Sequence, residues 1–399
     1  MFRIKQILSI FFFITFFSAC DKDRKEDTST EVVKPLPYSM LPPMKELPEL
    51  SEQYIQQKNT EIGNFFSKNY AKDFDNISFL VAQNGQIIFE KYSGFADKEN
   101  NILNSADTPL HIASVSKVLT AAAILKLVEA GKIDLDQKLT TLFKGFPYPD
   151  VNIRTLLNHR SGIKKYWYFT EDKAIWDTSK TLTNKDVLNL LITKKIPLDH
   201  PTDTHFVYNN TNYVLLALVI EKATGLKYSN AMKAIIFDPL GMKNTFVFDE
   251  NSPIIKATPS YKWNYQKYEF DYLDAIYGDK NIYSTPRDLL KFDSSRNDVN
   301  FLSKNLVAQI FKGYSYESRG EKNYGLGIRL REWDNGVTLF YHNGWWHGNT
   351  ASYINLKKEN AVIIALSNKY TQKTYQVKRL SALFGDYPFT LNDTATTEE

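Results

Sequence analysis

His-Ile-Ala-Ser-Val-Ser-Lys-Val-Leu-Thr-Ala-Ala-Ala-Ile-Leu-Lys-Leu-Val-Glu-Ala-Gly-Lys-Ile-Asp-Leu-Asp, residues His111 to Asp136, decides how the rest of the chain is read. From Ser114 the segment runs without a breaker to Gly131, and its apolar positions cover most of a helix circumference. It therefore predicts a helix buried on nearly all sides. Ser114 and Lys117 stand at its start, three residues apart and so on one face, where the lysine amine can lie against the serine oxygen. A serine hydroxyl is a poor nucleophile at neutral pH and needs an adjacent base and donors for an oxyanion. The pair supplies the base, and the helix N-terminus directs partial positive charge toward a reacting carbonyl. Desolvation on such a helix favours a neutral amine, the form that accepts a proton. Ser-x-x-Lys by itself is common, and the strand-to-buried-helix setting is what gives it weight.

Around this segment the sequence alternates in character. Ser51 followed by Ile55, Ile62, Phe65 and Phe66 predicts a capped amphipathic helix, and Ile77 to Tyr92 holds two apolar runs around Asn84-Gly85, a strong hairpin signal. The middle, about Asp134 to Phe292, carries mostly helical patterns, including Thr211 to Ala223 ending at Gly225 and Thr285 to Phe292. Strand character returns in Val337 to Tyr341, Ala351 to Leu356 and Ala361 to Leu366, with Asn335-Gly336 as a second hairpin turn. Strands at both ends with helices between them imply an α/β (α+β) chain whose one sheet is built from both termini.

The His111 to Asp136 segment resembles the active-site helix of the serine β-lactamase and penicillin-binding-protein superfamily. It most resembles the class C β-lactamase-like branch, which also includes D,D-carboxypeptidases, D-aminopeptidases and esterases. Tyr208-Asn209-Asn210 is similar to the Tyr-x-Asn motif of that branch, and Pro239-Leu240-Gly241-Met242 follows as in the family. His342-Asn343-Gly344, at the end of the strand-like Val337 to Tyr341, resembles the Lys-Thr-Gly motif in its His-x-Gly form. Leu156 to Gly162, containing His159, matches a stretch taken as structural. Ile282 to Leu289 also fits, although Lys280-Asn281 stands where the family often has glycines. The likeness spans about Ile77 to Leu366.

The resemblance implies a β-lactamase/transpeptidase-like fold over residues 51–390, an antiparallel sheet flanked by helices with a mainly helical insertion at about 134–292. It implies Ser114 as nucleophile with Lys117 and Tyr208 as bases. Asn210 would bind the substrate's amide side, and His342 would bind a substrate carboxylate or tune Tyr208. Gly344 would let substrate approach the strand edge, and the Trp345 amide would join that of Ser114 in the oxyanion hole. Which base takes the first proton is left open. The substrates implied are a cell-wall D-amino-acid peptide, a β-lactam or an ester. A peptidase or esterase ranks above a dedicated β-lactamase, because His342 replaces a lysine and Trp345-Trp346 adds apolar surface. The alternative is a sensor or peptidoglycan-binding module of the same fold that binds penicillin without turnover.

Destination is read from the N-terminus. Arg3 and Lys5 precede the apolar run Ile7 to Phe17, then come Ser18, Ala19 and Cys20, the pattern of an export signal. Phe17-Ser18-Ala19-Cys20 resembles a bacterial lipobox, implying a signal peptide at 1–19, a diacylated Cys20 and a chain lipid-anchored in the cell envelope. Residues 20–50, charged and then proline-rich, suit an extended tether. Without Arg3 and Lys5 the formal charge falls from +4 to 4 − 2 = +2, too small a surplus to suggest a nucleic-acid partner. Cys20 is the sole cysteine, which excludes an intrachain disulfide, and the six histidines show no standard ligand spacing, so no metal is expected; the mechanism that the resemblance implies needs no cofactor.

Overall fold

Asn84 and Gly85 have φ of 53° and 76°, a backbone that only a few residue types adopt without strain and that twists with the strands it joins. They connect β1 (Ile77–Gln83) to β2 (Gln86–Ser93). Short strands follow at β3 (Phe95–Asp97), β4 (Ile102–Leu103), β5 (Leu110–His111), β6 (Phe246–Val247) and β7 (Ile282–Ser284). The chain ends in β8 (Lys322–Tyr324), β9 (Arg329–Glu332), β10 (Thr338–Trp346), β11 (Asn349–Leu356) and β12 (Ala361–Ser367). The computed structural model describes residues 47–70, 76–249, 257–296, 300–318 and 320–391, all within one unit spanning 36–399. The expected signal peptide, Cys20 and nearly all of the expected tether lie outside the described residues.

Seven strands form one antiparallel sheet in the order β2-β1-β12-β11-β10-β9-β8, and β5-β7-β6 form a small second sheet. The sheet from both termini is thus present, closed by the β1–β12 pairing of Ser78–Gln83 with Ala361–Leu366. In β1, Leu80 and Ala82 enter one apolar cluster while Ile77, Phe79 and Val81 enter another. In β12, Val362, Ile364 and Leu366 are likewise opposed to Ala361, Ile363 and Ala365. Both faces of these central strands are covered, which is why they read as unbroken apolar runs rather than as alternation. Helix α1 (Glu52–Tyr70) covers one face, starting where Ser51 Oγ accepts from the Tyr54 amide.

On the other face lies α2 (Ser116–Glu129), in which every residue from Ser116 to Leu127 is buried. Around it stand α3 (Asn184–Lys194), capped by Thr183 and Asp186, and α4 (Asn210–Thr224), ended by Gly225 in the left-handed conformation. The expected helical insertion at 134–292 needs one correction. It contains β6 and β7, and the helix α5 (Pro286–Arg296) at its end packs on β1 and β12 rather than among the inserted helices. Side chains such as Leu289 and Phe292 turn that helix toward the sheet.

Asp293 on α5 is buried against the sheet, accepting from Tyr353 Oη and from Asn355 Nδ2 at 2.7 Å. Burial pushes its carboxyl up to about 6, from an ordinary 3.8. Between those values the folded chain holds a proton that the unfolded chain has released, so this group makes stability fall as pH rises from about 4 to 6, with no further change above. Asp293→Asn should remove that decline, worth roughly 3 kcal/mol at about 1.4 kcal/mol per pH unit. Urea unfolding at several pH values measures it; parallel curves for variant and wild type would contradict the assignment.

Candidate active site

Between β5 and α2 the chain makes a sharp turn. Ala113 has φ of +47°, strained for a residue with a Cβ. Its amide donates to His111 Nδ1 at 3.1 Å, and the Ile112 amide donates to Ile282 O at 2.9 Å, so the turn is held on both sides. Its effect is local exposure. Among residues 110–127 Ser114 alone is partly accessible.

Lys117 follows one helical turn later, fully buried. Its Nζ lies 3.0 Å from Ser114 Oγ and donates to Asp279 O at 2.8 Å. The expected Ser–Lys contact is therefore present, and a main-chain carbonyl just before β7 holds the amine in place. Lys117 Nζ also stands 5.1 Å from the centroid of the Tyr208 ring, bringing the second expected base to the same amine.

Tyr208 precedes α4, and the segment before it is fastened by His159. The Val207 amide donates to His159 O at 3.0 Å and the Asn209 amide to His159 Nδ1 at 3.2 Å, while the His159 ring packs 4.6 Å from that of Tyr208. His159 is buried, and burial followed by the Lys117 charge holds its proton affinity well below the usual range. It is a seat for the Tyr208-Asn209-Asn210 segment. Asn209, not Asn210, caps the helix, accepting from the Thr211 amide at 2.9 Å. Asn210 is thereby left to face inward: its side chain reaches the Tyr166 hydroxyl, and its Oδ1 has no hydrogen-bond partner among the described residues.

The third stretch departs from expectation in one respect. β10 does not end at Tyr341 but continues through His342-Asn343-Gly344 to Trp346, because its backbone pairs with β11 from Phe340↔Asn355 to Trp346↔Asn349. Ladder pairing outweighs the weak strand propensity of Asn and Gly. Gly344 sits over the turn that carries Ser114: a Cβ there would lie 2.4 Å from Ile112 O and 3.1 Å from the Ser114 amide nitrogen. Gly344→Ala must therefore push β10 from the turn, and we expect at least about a 100-fold loss in kcat/KM with the protein still folded. Wild-type turnover by this variant would contradict the close approach.

His342 is fully buried, its Nδ1 facing Asn343 O at 2.8 Å and its Nε2 facing Tyr324 Oη at 3.1 Å. Burial, then Arg329 and Lys117, hold it well below the usual imidazole range, so it is neutral. With both nitrogens engaged it offers no donor to a substrate carboxylate, which corrects that part of the expectation; its ring, 6.0 Å from that of Tyr208, remains placed to influence the phenol. Trp345 is 59% exposed, and its neighbour Trp346 is the indole that turns inward. Trp346 Nε1 donates to Asp274 Oδ1 at 2.6 Å, and Asp274 also pairs with His347.

Sequence reasoning missed four participants. Asp279 holds Lys117, and Tyr166 Oη donates to Asp279 Oδ2 at 3.3 Å. Lys280 Nζ donates to Tyr166 Oη at 3.0 Å and lies 4.5 Å over the Trp346 ring. Arg329, on β9 beside β10, places its guanidinium 4.5 Å from the Tyr208 ring centroid. Only the Lys280-Asn281 departure from glycine carried a signal in the sequence. Asp271, Asp274 and His347 bring three ligand-type atoms within 4.8 Å of one another, but Asp274 is already engaged by Trp346 and His347. A buried amine on a hydroxyl, beside a phenol and below a strand edge, is suited to activating an oxygen nucleophile for acyl transfer.

A family model described as Beta-lactamase matches residues 52–384. The chain is 30% identical over 351 residues to penicillin-binding protein 4* of Bacillus subtilis, covering 83% of this chain and 77% of that protein. It is 30% identical over 302 residues to a teichoic acid D-alanine hydrolase of Staphylococcus aureus, covering 74% and 70% respectively. Among solved structures, D-amino acid amidase from Ochrobactrum anthropi superposes with a TM-score of 0.64 at 25% identity, over 78% of this chain and 92% of that one.

Proposed function

The chain belongs to the Beta-lactamase family and is a serine hydrolase, and from that premise we propose that it cleaves an amide or ester of a D-amino acid through an acyl-enzyme on Ser114, in the manner of the class C-like branch. The observation that carries this reading is the buried Lys117 amine held between Ser114 Oγ and Asp279 O. A neutral amine keeps one N–H on the Asp279 carbonyl and turns its lone pair to the Ser114 hydroxyl, which then donates. As Oγ bonds to the substrate carbonyl carbon, its proton passes to the Lys117–Tyr208 pair. The oxyanion is met by the Ser114 and Trp345 amides beside Gly344. The bond to the leaving amine or alcohol breaks as that group takes the proton. Water, losing a proton to Tyr208, then releases the acyl group and restores the Ser114 hydroxyl.

The names of the relatives support a D-amino-acid substrate, since one acts on D-alanine in teichoic acid and another is a D-amino acid amidase. Asn210, partly exposed at the start of α4, is the residue we assign to the substrate amide. With His342 enclosed, Arg329 is the cation we assign to a substrate carboxylate, since its planar donors suit that group. Arg329→Gln should raise KM for a D-alanyl dipeptide about tenfold more than KM for a neutral p-nitrophenyl ester; equal effects on both would remove the assignment. The export pattern at 1–19 and the lipobox-like Cys20 support an exported protein, lipid-anchored in a bacterial cell envelope, where such substrates occur.

The test is incubation of the purified protein with a p-nitrophenyl ester, a D-alanyl dipeptide, a chromogenic cephalosporin and a fluorescent penicillin. Turnover of ester or dipeptide is the expected result. Stable penicillin labelling with no turnover of any substrate would replace the hydrolase with a sensor.

A further inference from the structure

Lys280 is a second buried lysine in the site, at a position where the family resemblance leads to glycine. Its side chain is 3% exposed, 3.7 Å from Asp279 Oδ2, with the Tyr166 hydroxyl at 3.0 Å and the Trp346 ring at 4.5 Å. Asp279 is itself fully buried. Its Oδ2 takes the Tyr166 hydroxyl, its Oδ1 has no hydrogen-bond partner among the described residues, and its main-chain oxygen holds the Lys117 amine at 2.8 Å. One residue thus touches both lysines, with its carbonyl on one and its carboxylate beside the other.

A buried carboxylate is costly unless an opposite charge accompanies it. An unaccompanied one beside Lys117 would do more than destabilise: it would hold a proton on the amine that has to accept one from Ser114. We propose that Lys280 is a positioning residue for acylation, its ammonium neutralising Asp279 so that Lys117 can stand in its free-amine form while the Asp279 carbonyl keeps it on Ser114. The proposal rests on the reading of Lys117 as a base for Ser114.

The surrounding charges are compatible with this division. Burial pushes Lys280 downward and Lys117 adds to that, while Asp279, Asp274 and Asp271 favour its ammonium. Lys117 faces Tyr208, Tyr213 and the Arg329, His159 and His342 groups; burial keeps both imidazoles neutral, and Arg329 is a constant positive charge. Among these groups, Asp279 is the carboxylate whose own backbone grips Lys117, and Lys280 is the cation beside it.

The experiment is the pH dependence of kcat/KM for p-nitrophenyl acetate in the full-length protein, with Ser114→Ala as background. Lys280→Met should move the rising limb to higher pH by about one unit, about a tenfold loss at a fixed pH on that limb. Asp279→Asn should move it to lower pH, the Lys280→Met/Asp279→Asn pair should return it near wild type, and Lys280→Arg should leave it in place. Opposite movements that cancel are what a purely structural role would not produce. An unmoved limb in Lys280→Met with a uniform fall in rate, or a double variant no better than the single, would overturn the proposal. Should circular dichroism show Lys280→Met unfolded, Asp279→Asn decides alone, and a limb that fails to move downward overturns the proposal. Activity retained in Ser114→Ala would instead bring down the nucleophile assignment, a failure separable from that of Lys280.

Discussion

Ser114→Ala is expected to lower kcat for ester hydrolysis by about 10⁴-fold or more while leaving KM within a few-fold. In the proposed mechanism the hydroxyl forms the bond, and nothing nearby replaces it: Ala113 and Val115 are fully buried, and Ser116, on the next residue, is also fully buried with its Oγ near the Ile282 amide. The substitution deletes one oxygen from a partly exposed position, so thermal unfolding should shift by no more than a degree or two. Steady-state kinetics with mass spectrometry of a penicillin-treated sample gives both readouts. A variant that still acquires the acyl mass at the wild-type rate would eliminate Ser114 as nucleophile.

Lys117→Met should come next in size, with a loss of about 10³-fold or more in acylation rate. Methionine nearly matches the lysine stem in volume and removes only the amine, so packing against Tyr208 and Tyr213 is largely kept. The Asp279 carbonyl loses its partner, costing about 1–3 kcal/mol for a buried acceptor left unpaired. Because the variant lacks the amine, the limb of the pH profile that reports its deprotonation should vanish rather than move. Single-turnover acylation across pH measures this; a persisting limb would transfer the role of base to Tyr208.

Both predictions depend on contacts that the chain's periodicity announces with unequal clarity. Ser114 and Lys117 were legible because their meeting is local: three residues apart on a helix, they share a face whatever the rest of the protein does. The sheet was legible because β1 and β12 are apolar on both faces and Asn84-Gly85 and Asn335-Gly336 mark turns. The true end of β10 was hidden, since Asn343 and Gly344 have poor strand propensity and only pairing with β11 carries the strand through them. The burial of His342 was hidden for a similar reason, because its enclosure requires Tyr324 from β8, two strands away in the sheet.

By itself, the sequence determined that Ser114 and Lys117 meet, that the helix carrying them is buried and to which family the chain belongs, all from local spacing and ordered motifs. Tertiary structure alone decided that Asp279 grips Lys117, that Lys280 accompanies Asp279, that Arg329 lies on Tyr208 and that His342 is fully buried. Those contacts join residues as far as 162 positions apart. Periodicity reports which face of an element is apolar, whereas the partner that a buried charge finds across the core is fixed by how the elements pack.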